Sequence, residues 1–283
     1  MEKISVIVLR TAGTNCDQET AHAFREVGAE VRLVHINELF REEVGLDEFD
    51  ILAIPGGFSY GDDIAAGKIL ANELKYKLYK DLEKFARDEK PIIGICNGFQ
   101  VLVKAGLLPG FDVVDEKQTV TLTCNDSGKF EDRWVYLKAS NGKRAKSPCI
   151  WTRDIGDVIY LPIAHAEGKF VAENSKTLKR IEEEGLVVFR YATRDGKSGE
   201  YPVNPNGSQN DIAGITNPKG NVLGMMPHPE RHIIRYHHPR WTREELPEEG
   251  DGLAIFRNGV EWAKKRREIT RGKMKEEKTE KVN

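Results

Sequence analysis

The stretch that most constrains the fold of this 283-residue chain is KPIIGICNGFQVLVKAG, at residues 90–106. Its first part, Pro91 to Ile95, is apolar and rich in β-branched residues, which is typical of a strand buried on both faces of a parallel sheet. From Phe99 onward, apolar residues recur at helical intervals. Glycines stand two residues before and two residues after Cys96, so the chain can turn sharply there. The pattern predicts a strand, a strained turn that carries a thiol, and a helix.

The position of Cys96 indicates a reactive cysteine. Its thiol would lie at the N-terminus of the helix, where backbone N–H groups and the helix dipole favour the thiolate. The alternative is that Cys96 packs as a small buried apolar residue, which is the usual fate of a free cysteine. Nucleophilic catalysis would also require a base.

A candidate base lies far downstream, in NVLGMMPHPERH at residues 221–232. An apolar run ends at Met226, and His228 and Glu230 then alternate with two prolines. Proline favours extended geometry in the residue before it, and side chains two residues apart in an extended chain share a face. We therefore expect Glu230 to hold one ring nitrogen of His228 while the other faces a partner, as in acyl transfer by a thiolate.

A second His-x-Glu pair, His165 and Glu167, follows a predicted strand at residues 158–163. Periodicity alone does not decide which of the two pairs is catalytic.

The chain before residue 106 alternates between strands and helices. Strands are predicted at 4–9, 31–36 and 50–54, and helices at 17–27 and 68–87. This alternation predicts an α/β fold of the flavodoxin-like class, with a doubly wound, mostly parallel sheet and helices on both faces. Beyond residue 106 the alternation fades. Strands at 118–123 and 134–137 bracket a polar loop, typical of a hairpin, so we expect an additional antiparallel region.

The third predicted strand ends at the loop PGGFSYGDD. Ligands bind at the carboxyl ends of the strands in doubly wound sheets, so the pair Gly56–Gly57 should lie at the same edge as Cys96. One backbone N–H from this pair, together with the N–H of Asn97, would supply the two donors of an oxyanion hole. The alternative is a flexible turn.

Composition and spacing argue against several other functions. The net charge is −2, with 43 basic and 45 acidic residues, so global charge does not favour a nucleic-acid partner. No apolar stretch is long enough for a membrane span or a signal peptide, and we expect a cytoplasmic protein. The four cysteines are far apart, and HPERH lacks the HExxH spacing, so we expect no metal site. We predict one domain over residues 1–263 and a charged, frayed tail over 264–283.

Several motifs together resemble a known family. GICNGFQ, with PGGFSYGDD before it and MMPHPER after it, resembles the class I (triad) glutamine amidotransferases. LRTAGTNCD, NDSGKF, IAHAEGKF, NPNGS and GNVLGMMPHPER narrow the resemblance to the glutaminase subunits of phosphoribosylformylglycinamidine synthase, in purine biosynthesis. It covers about residues 1–235.

The resemblance implies a role for each matching residue. Cys96 would be the nucleophile, His228 the general acid and base, and Glu230 the residue that orients His228. The resemblance thus selects His228 and Glu230 as the catalytic pair and assigns no role to His165 and Glu167. Backbone N–H groups of Gly57 and Asn97 would form the oxyanion hole. The substrate contacts implied are Gln100, Asn125 and Phe130.

The family also implies a reaction and partners. Glutamine would be hydrolysed to glutamate and ammonia through a cysteine thioester. The ammonia would pass to a large ATP-using synthase subunit that makes formylglycinamidine ribonucleotide from formylglycinamide ribonucleotide, with a small third subunit in the complex. ATP and magnesium would belong to the synthase subunit, and this chain would need no cofactor. A free-standing cysteine hydrolase or peptidase, and a binding module without catalysis, remain as alternatives.

Overall fold

The computed structural model describes residues 2–115, 117–140 and 147–280. Within these ranges the strands are β1 (Ser5–Arg10), β2 (Glu30–His35), β3 (Ile51–Ile54), β4 (Ile92–Ile95), β5 (Val120–Thr123), β6 (Glu131–Ala139), β7 (Val158–His165), β8 (Lys169–Ala172), β9 (Val187–Ala192), β10 (Ile212–Thr216) and β11 (Val222–Met225). The α-helices are α1 (Asp17–Glu26), α2 (Ile36–Phe40), α3 (Lys68–Lys77), α4 (Tyr79–Arg87), α5 (Asn97–Ala105), α6 (Ser175–Glu183) and α7 (Leu253–Glu280).

The main sheet has nine strands in the order β2-β1-β3-β4-β11-β10-β9-β6-β7. The five strands from β2 to β11 are parallel to one another, and those from β10 to β7 continue the sheet in antiparallel pairing. β5 and β8 form a separate antiparallel pair. The predicted α/β class with an additional antiparallel region is confirmed.

The central strands of the parallel half are buried because helices cover them. Every residue of β3, β4 and β11 is buried, as expected for strands with packing on both faces. α5 packs against β11, where a Cβ atom on Gly224 would lie 2.1 Å from the Phe99 ring. α1 and α7 pack together through the rings of Phe24 and Phe256, whose centroids are 4.9 Å apart. This packing fixes the ends of the strands that the predicted site residues follow.

The polar loop between residues 123 and 131 is not a hairpin, and that expectation was wrong. β5 pairs with β8, whereas β6 pairs with β7 and β9. β8 was not predicted, because its four residues directly follow Gly168 and show too short an alternation to be distinguished from a loop. The loop therefore connects two different sheets.

The helix predicted over residues 68–87 is divided. α3 ends at Lys77 and α4 begins at Tyr79, and the residue between them, Leu78, has non-helical angles of φ −123° and ψ 15°. Leu78 is itself buried, so the bend keeps the apolar sides of both helices on the core.

The predicted frayed tail begins within α7, which continues as helix to Glu280. Arg267 forms an ion pair with Asp50, and the Arg266 side chain donates to the backbone oxygen of Asp88, so side chains anchor this part of the helix on the domain. Residues 281–283 of the predicted tail lie outside the described ranges. Among the described helices, none combines the length and apolar character that crossing a bilayer requires.

Gly98 provides a test of the packing at the start of α5. A Cβ atom at this position would lie 1.9 Å from the backbone oxygen of Ile54, so we expect Gly98→Ala to lower the free energy of unfolding by about 1–3 kcal/mol. The control is Gly272→Ala in α7, because among the described residues no atom outside the backbone of its own helix lies within 4 Å of the added methyl group. Urea unfolding of both variants measures the difference, and equal stabilities would contradict the close approach.

Candidate active site

The turn after β4 holds Cys96 in a strained conformation. Its backbone has φ 52° and ψ −107°, a region that residues other than glycine rarely adopt. The N–H of Cys96 donates to the backbone oxygen of Met225 at 2.8 Å, so pairing between β4 and β11 continues up to the turn. The Cys96 side chain is 5% exposed, and its sulfur lies 3.7 Å from the backbone oxygen of Ala164. The thiol therefore lies at the carboxyl ends of the parallel strands, as predicted.

His228 and Glu230 lie just beyond the end of the neighbouring strand β11. His228 is extended, but residues Pro229–Arg231 form a 3-10 turn, so the expectation of an extended chain through Glu230 was wrong. The turn nevertheless brings the carboxylate back to the ring, and Nδ1 of His228 lies 2.7 Å from Oε1 of Glu230. Both side chains are buried, and Nε2 of His228 has no hydrogen-bond partner among the described residues. Nδ1 is therefore held by Glu230, and Nε2 has no hydrogen-bond partner within the part of the chain that the structure describes.

The charges around His228 favour its protonated form. Burial opposes that form, but the negative charges of Glu230 and Cys96 outweigh burial and raise the pKa of His228 well above 6.5. An imidazolium held by a carboxylate can donate a proton to a leaving group and then accept one from water.

Two backbone N–H groups at this edge of the sheet could bind a substrate oxygen. The N–H groups of Gly57 and Asn97 have no acceptor among the described residues. Gly57 has φ 141°, and a Cβ atom there would lie 2.8 Å from the backbone oxygen of Gly13, so the position requires glycine. These are the two groups that the sequence predicts as oxyanion donors.

The predicted substrate contacts fall into different environments. Gln100 is buried, and its Nε2 donates to the backbone oxygen of Glu167 at 2.6 Å. Phe130 is 49% exposed, and its ring centroid lies 6.5 Å from that of Phe58.

Asn125, by contrast, is saturated by internal hydrogen bonds. Its Nδ2 donates to the backbone oxygens of Lys129 and His165, and its Oδ1 accepts from the N–H of Gly168 at 3.0 Å. Both amide hydrogens are used, so a direct hydrogen bond from Asn125 to substrate, as predicted, would require one of these bonds to break. The geometry instead supports a positioning role, because Asn125 joins two loops beside Cys96.

In the second His-x-Glu pair, the histidine and the glutamate have different partners. Nδ1 of His165 lies 3.2 Å from Oδ1 of Asn125, whereas Oε2 of Glu167 accepts from the N–H of Ala66 at 3.3 Å. Burial and the charge of His228 lower the pKa of His165 to about 3, so this histidine is neutral. Of the two pairs, only His228 and Glu230 are joined to each other.

Cys16 is a member of the site that the sequence reasoning missed. Its buried sulfur accepts from Nη2 of Arg231 at 3.1 Å, and both Cys16 and the His228 ring border Gly56. Burial raises the pKa of the Cys16 thiol above its usual value, although His228 and Arg231 act in the opposite direction. The sequence did contain a signal for Cys16. Cys16 follows the carboxyl end of β1, and β1 neighbours β3. Because ligands bind at the carboxyl ends of the strands in doubly wound sheets, the reasoning that placed Gly57 near Cys96 also places Cys16 there.

Cys16, His228 and Glu230 also have the chemistry of metal ligands, since one ligand atom from each lies within 4.8 Å of the others. The guanidinium of Arg231 next to the Cys16 sulfur places a positive charge at the same point. That charge disfavours a cation between the three side chains.

The neutral state of His165 predicts a pH dependence of stability. Below pH 6.5 the unfolded chain binds a proton at this position, whereas the folded chain does so only near pH 3. The free energy of unfolding should therefore fall on acidification from pH 6.5, by about 1.4 kcal/mol per pH unit. His165→Gln should remove the part of the slope that His165 contributes, whereas exposed His22→Gln should leave the slope unchanged. Urea unfolding between pH 7.5 and pH 5 measures both, and parallel curves for wild type and His165→Gln would contradict the neutral histidine.

Comparison with known proteins agrees with this geometry. Residues 3–263 match the family described as CobB/CobQ-like glutamine amidotransferase domain. The chain is 48% identical over 265 residues to the phosphoribosylformylglycinamidine synthase subunit PurQ of Dehalococcoides mccartyi, covering 93% of this chain and 99% of that protein. It is 44% identical over 277 residues to the subunit of the same name from Archaeoglobus fulgidus, covering 93% and 98%.

A solved structure is similar over the same length. A chain in the structure of PurLQS from Thermotoga maritima matches with a TM-score of 0.67 and 31% identity, covering 92% of this chain and 99% of that chain. The chain therefore belongs to the glutamine amidotransferase family, within the group of PurQ subunits of phosphoribosylformylglycinamidine synthase.

Proposed function

We propose that this chain hydrolyses L-glutamine to L-glutamate and ammonia, and delivers the ammonia to a synthase subunit that converts formylglycinamide ribonucleotide to formylglycinamidine ribonucleotide. One observation carries the proposal: Cys96 lies with the His228–Glu230 pair at one edge of the sheet. The chain that holds this arrangement belongs to the glutamine amidotransferase family. A thiol, an imidazole and a carboxylate are the groups that acyl transfer by cysteine requires.

The first half of the reaction forms a thioester. The Cys96 thiolate attacks the carboxamide carbon of glutamine, and the N–H groups of Gly57 and Asn97 stabilise the oxyanion. A donor of this kind contributes about 2.7–4 kcal/mol to lowering the barrier. His228, held by Glu230, donates its proton to the departing nitrogen, which leaves as ammonia.

The second half regenerates the thiolate. A water molecule loses a proton to His228 and attacks the thioester carbon, and the carbon–sulfur bond breaks to release glutamate. Proton transfer of this kind contributes about 10²–10⁴-fold to the rate.

The partner assignments extend the proposal. Ammonia is consumed on a large ATP-using synthase subunit, with a small third subunit in the complex, and ATP and magnesium bind to the synthase subunit. The steps above use only side chains and backbone groups of this chain, so none of them requires a cofactor. Cys16, Cys96, Cys124 and Cys149 are all free, which supports a location in the reducing cytoplasm.

Glutamate release by the wild type and by Cys96→Ala, each with and without the synthase subunit, tests the nucleophile. We expect release by the wild type to rise when the synthase is added, and release by Cys96→Ala to be lost under both conditions. Equal release by the two proteins would exclude Cys96 as the nucleophile. Hydrolysis of peptides or esters without the synthase would favour a free-standing hydrolase.

The same assay with His228→Asn distinguishes a catalytic role of His228 from a structural role. This variant should lose glutamine-dependent synthesis, while added ammonium should still support the synthase, because ammonia enters after the step that His228 serves. Loss of the ammonium-driven reaction as well would indicate a structural role for His228.

Cys16 should act as a positioning residue for His228. Its contact with the imidazole raises the pKa of His228, so Cys16→Ala should shift the pH profile of kcat to lower pH and reduce kcat by about tenfold, with KM unchanged. Cys16→Ser should retain most of the activity. Cys149→Ala is the control, because Cys149 is equally buried but lies beside Trp151 and Thr152. An unshifted profile for Cys16→Ala would contradict this role.

A further inference from the structure

Helix α5, which begins directly after Cys96, carries three polar side chains on one face. Asn97, Gln100 and Lys104 are three and four residues apart, a spacing that brings side chains together on a helix. The other residues of α5 are apolar or glycine, and all of them are buried. Lys104 is thus the only charged residue of this helix, and it lies one turn beyond Gln100, the predicted substrate contact.

The ammonium group of Lys104 is buried without an acceptor. Its Nζ is shielded from solvent and has no hydrogen-bond partner among the described residues. Burial lowers the pKa of Lys104, and the charge of Lys68 adds to this effect. The carboxylates of Asp62 and Glu167 oppose burial but do not outweigh it. Because a buried ammonium without an acceptor loses its hydration and gains no bond, it opposes folding. The stability of the fold therefore gives no reason for a lysine at this position.

The two segments that carry these carboxylates also hold the amide of Gln100. Nδ2 of Asn97 donates to Oδ1 of Asp62 and to Oε1 of Gln100, at 3.0 Å in both cases. Nε2 of Gln100 donates to the backbone oxygen of Glu167 at 2.6 Å. Oε2 of Glu167 accepts from the backbone N–H of Ala66 at 3.3 Å and so joins the two segments. One end of the Gln100 amide is therefore held through Asp62, and the other through Glu167.

The charge of Lys104 offsets the repulsion between the two carboxylates. Burial raises the pKa of Asp62, and the charge of Glu167 raises it further, whereas the charge of Lys104 lowers it. Lys104 thus favours the ionised form of Asp62. An ionised carboxylate accepts stronger hydrogen bonds than a carboxylic acid, so the same charge strengthens the bond from Asn97 to Asp62.

We propose that Lys104 is a positioning residue for glutamine binding: its charge keeps the Asp62 and Glu167 segments in place, and these segments orient the amide of Gln100. This inference rests on the proposed function, in which Gln100 contacts glutamine. Lys104 lies beyond Gln100 and does not touch the reacting atoms. Its loss should therefore raise KM for glutamine and leave kcat nearly unchanged.

Steady-state release of glutamate by Lys104→Met, with the synthase subunit present, is the first test. We expect KM to rise by about tenfold and kcat to change by less than about twofold. The free energy of unfolding should not fall, because the ammonium that is removed has no acceptor. Lys84→Met is the control, since Lys84 is 68% exposed on α4 and pairs with Asp88, and it should match the wild type. An unchanged KM for Lys104→Met would overturn the proposal, and so would a loss of kcat together with a loss of stability.

The pH dependence of KM tests whether the charge of Lys104 is responsible. Because the pKa of Lys104 is lowered, its charge should be lost at a lower pH than that of an exposed lysine. The wild type should then approach Lys104→Met, so the ratio of their KM values should fall toward one as the pH rises. Titration of glutamine itself cancels in this ratio. A ratio that stays constant up to the pH at which exposed lysines titrate would overturn the role of the charge.

A double-mutant cycle tests whether Lys104 acts through Gln100. Gln100→Ala should itself raise KM, and adding Lys104→Met to it should change KM by less than about twofold, because the group that Lys104 positions is already absent. An equal effect of Lys104→Met in both backgrounds would contradict this route.

The wild type separates this inference from the proposed function. If the wild type releases no glutamate even with the synthase subunit, the proposed function fails. If the wild type is active and Lys104→Met has the same KM, only the inference about Lys104 fails.

Discussion

The constraint on which the rest of the structure depends is the left-handed turn at Cys96. The turn holds φ at 52° because the chain around it has no room to relax. A Cβ atom on Gly98 would collide with the backbone of Ile54 in β3, and one on Gly94 would lie 2.6 Å from the backbone oxygen of Gly98. These approaches fix the thiol relative to β3 and β11. Every other group of the site is then placed by the end of a neighbouring strand.

A single buried charge pair organises the electrostatics of this edge. Glu230 and Cys96 raise the pKa of His228, and the resulting positive charge helps to keep His165 neutral. Because burial weakens screening by water, each of these charges acts strongly on its neighbours. The thiol of Cys16 contributes to the same balance through His228 and Arg231. The proton that the proposed mechanism moves is therefore held on the imidazole that Glu230 contacts.

Local patterns predicted the parallel half of the fold and the catalytic edge, because both follow from single segments: an apolar strand, a glycine-flanked turn, a proline-flanked histidine. Prediction from the sequence failed where the structure depends on contacts between residues that are far apart in the chain. The polar loop after β5 contacts the chain near residue 165, where Asn125 forms hydrogen bonds with the backbone of His165 and Gly168. No local sequence pattern predicts these bonds. Likewise, the contact between Cys16 and His228 joins segments more than 200 residues apart, and only strand order brings them together.

The site divides into a rigid part and an adjustable part. Cys96 and His228 lie at strand ends, whereas Gly57, the predicted donor, lies on a loop that is strained and partly exposed. Loss of one oxyanion donor costs about 10²–10³-fold in rate, and hydrogen bonds weaken steeply with small changes in angle. In the proposed mechanism, a small displacement of this loop would therefore be sufficient to change the reaction rate while Cys96 and His228 stay in place. Control by such a movement needs no rearrangement of the core, which close packing would oppose.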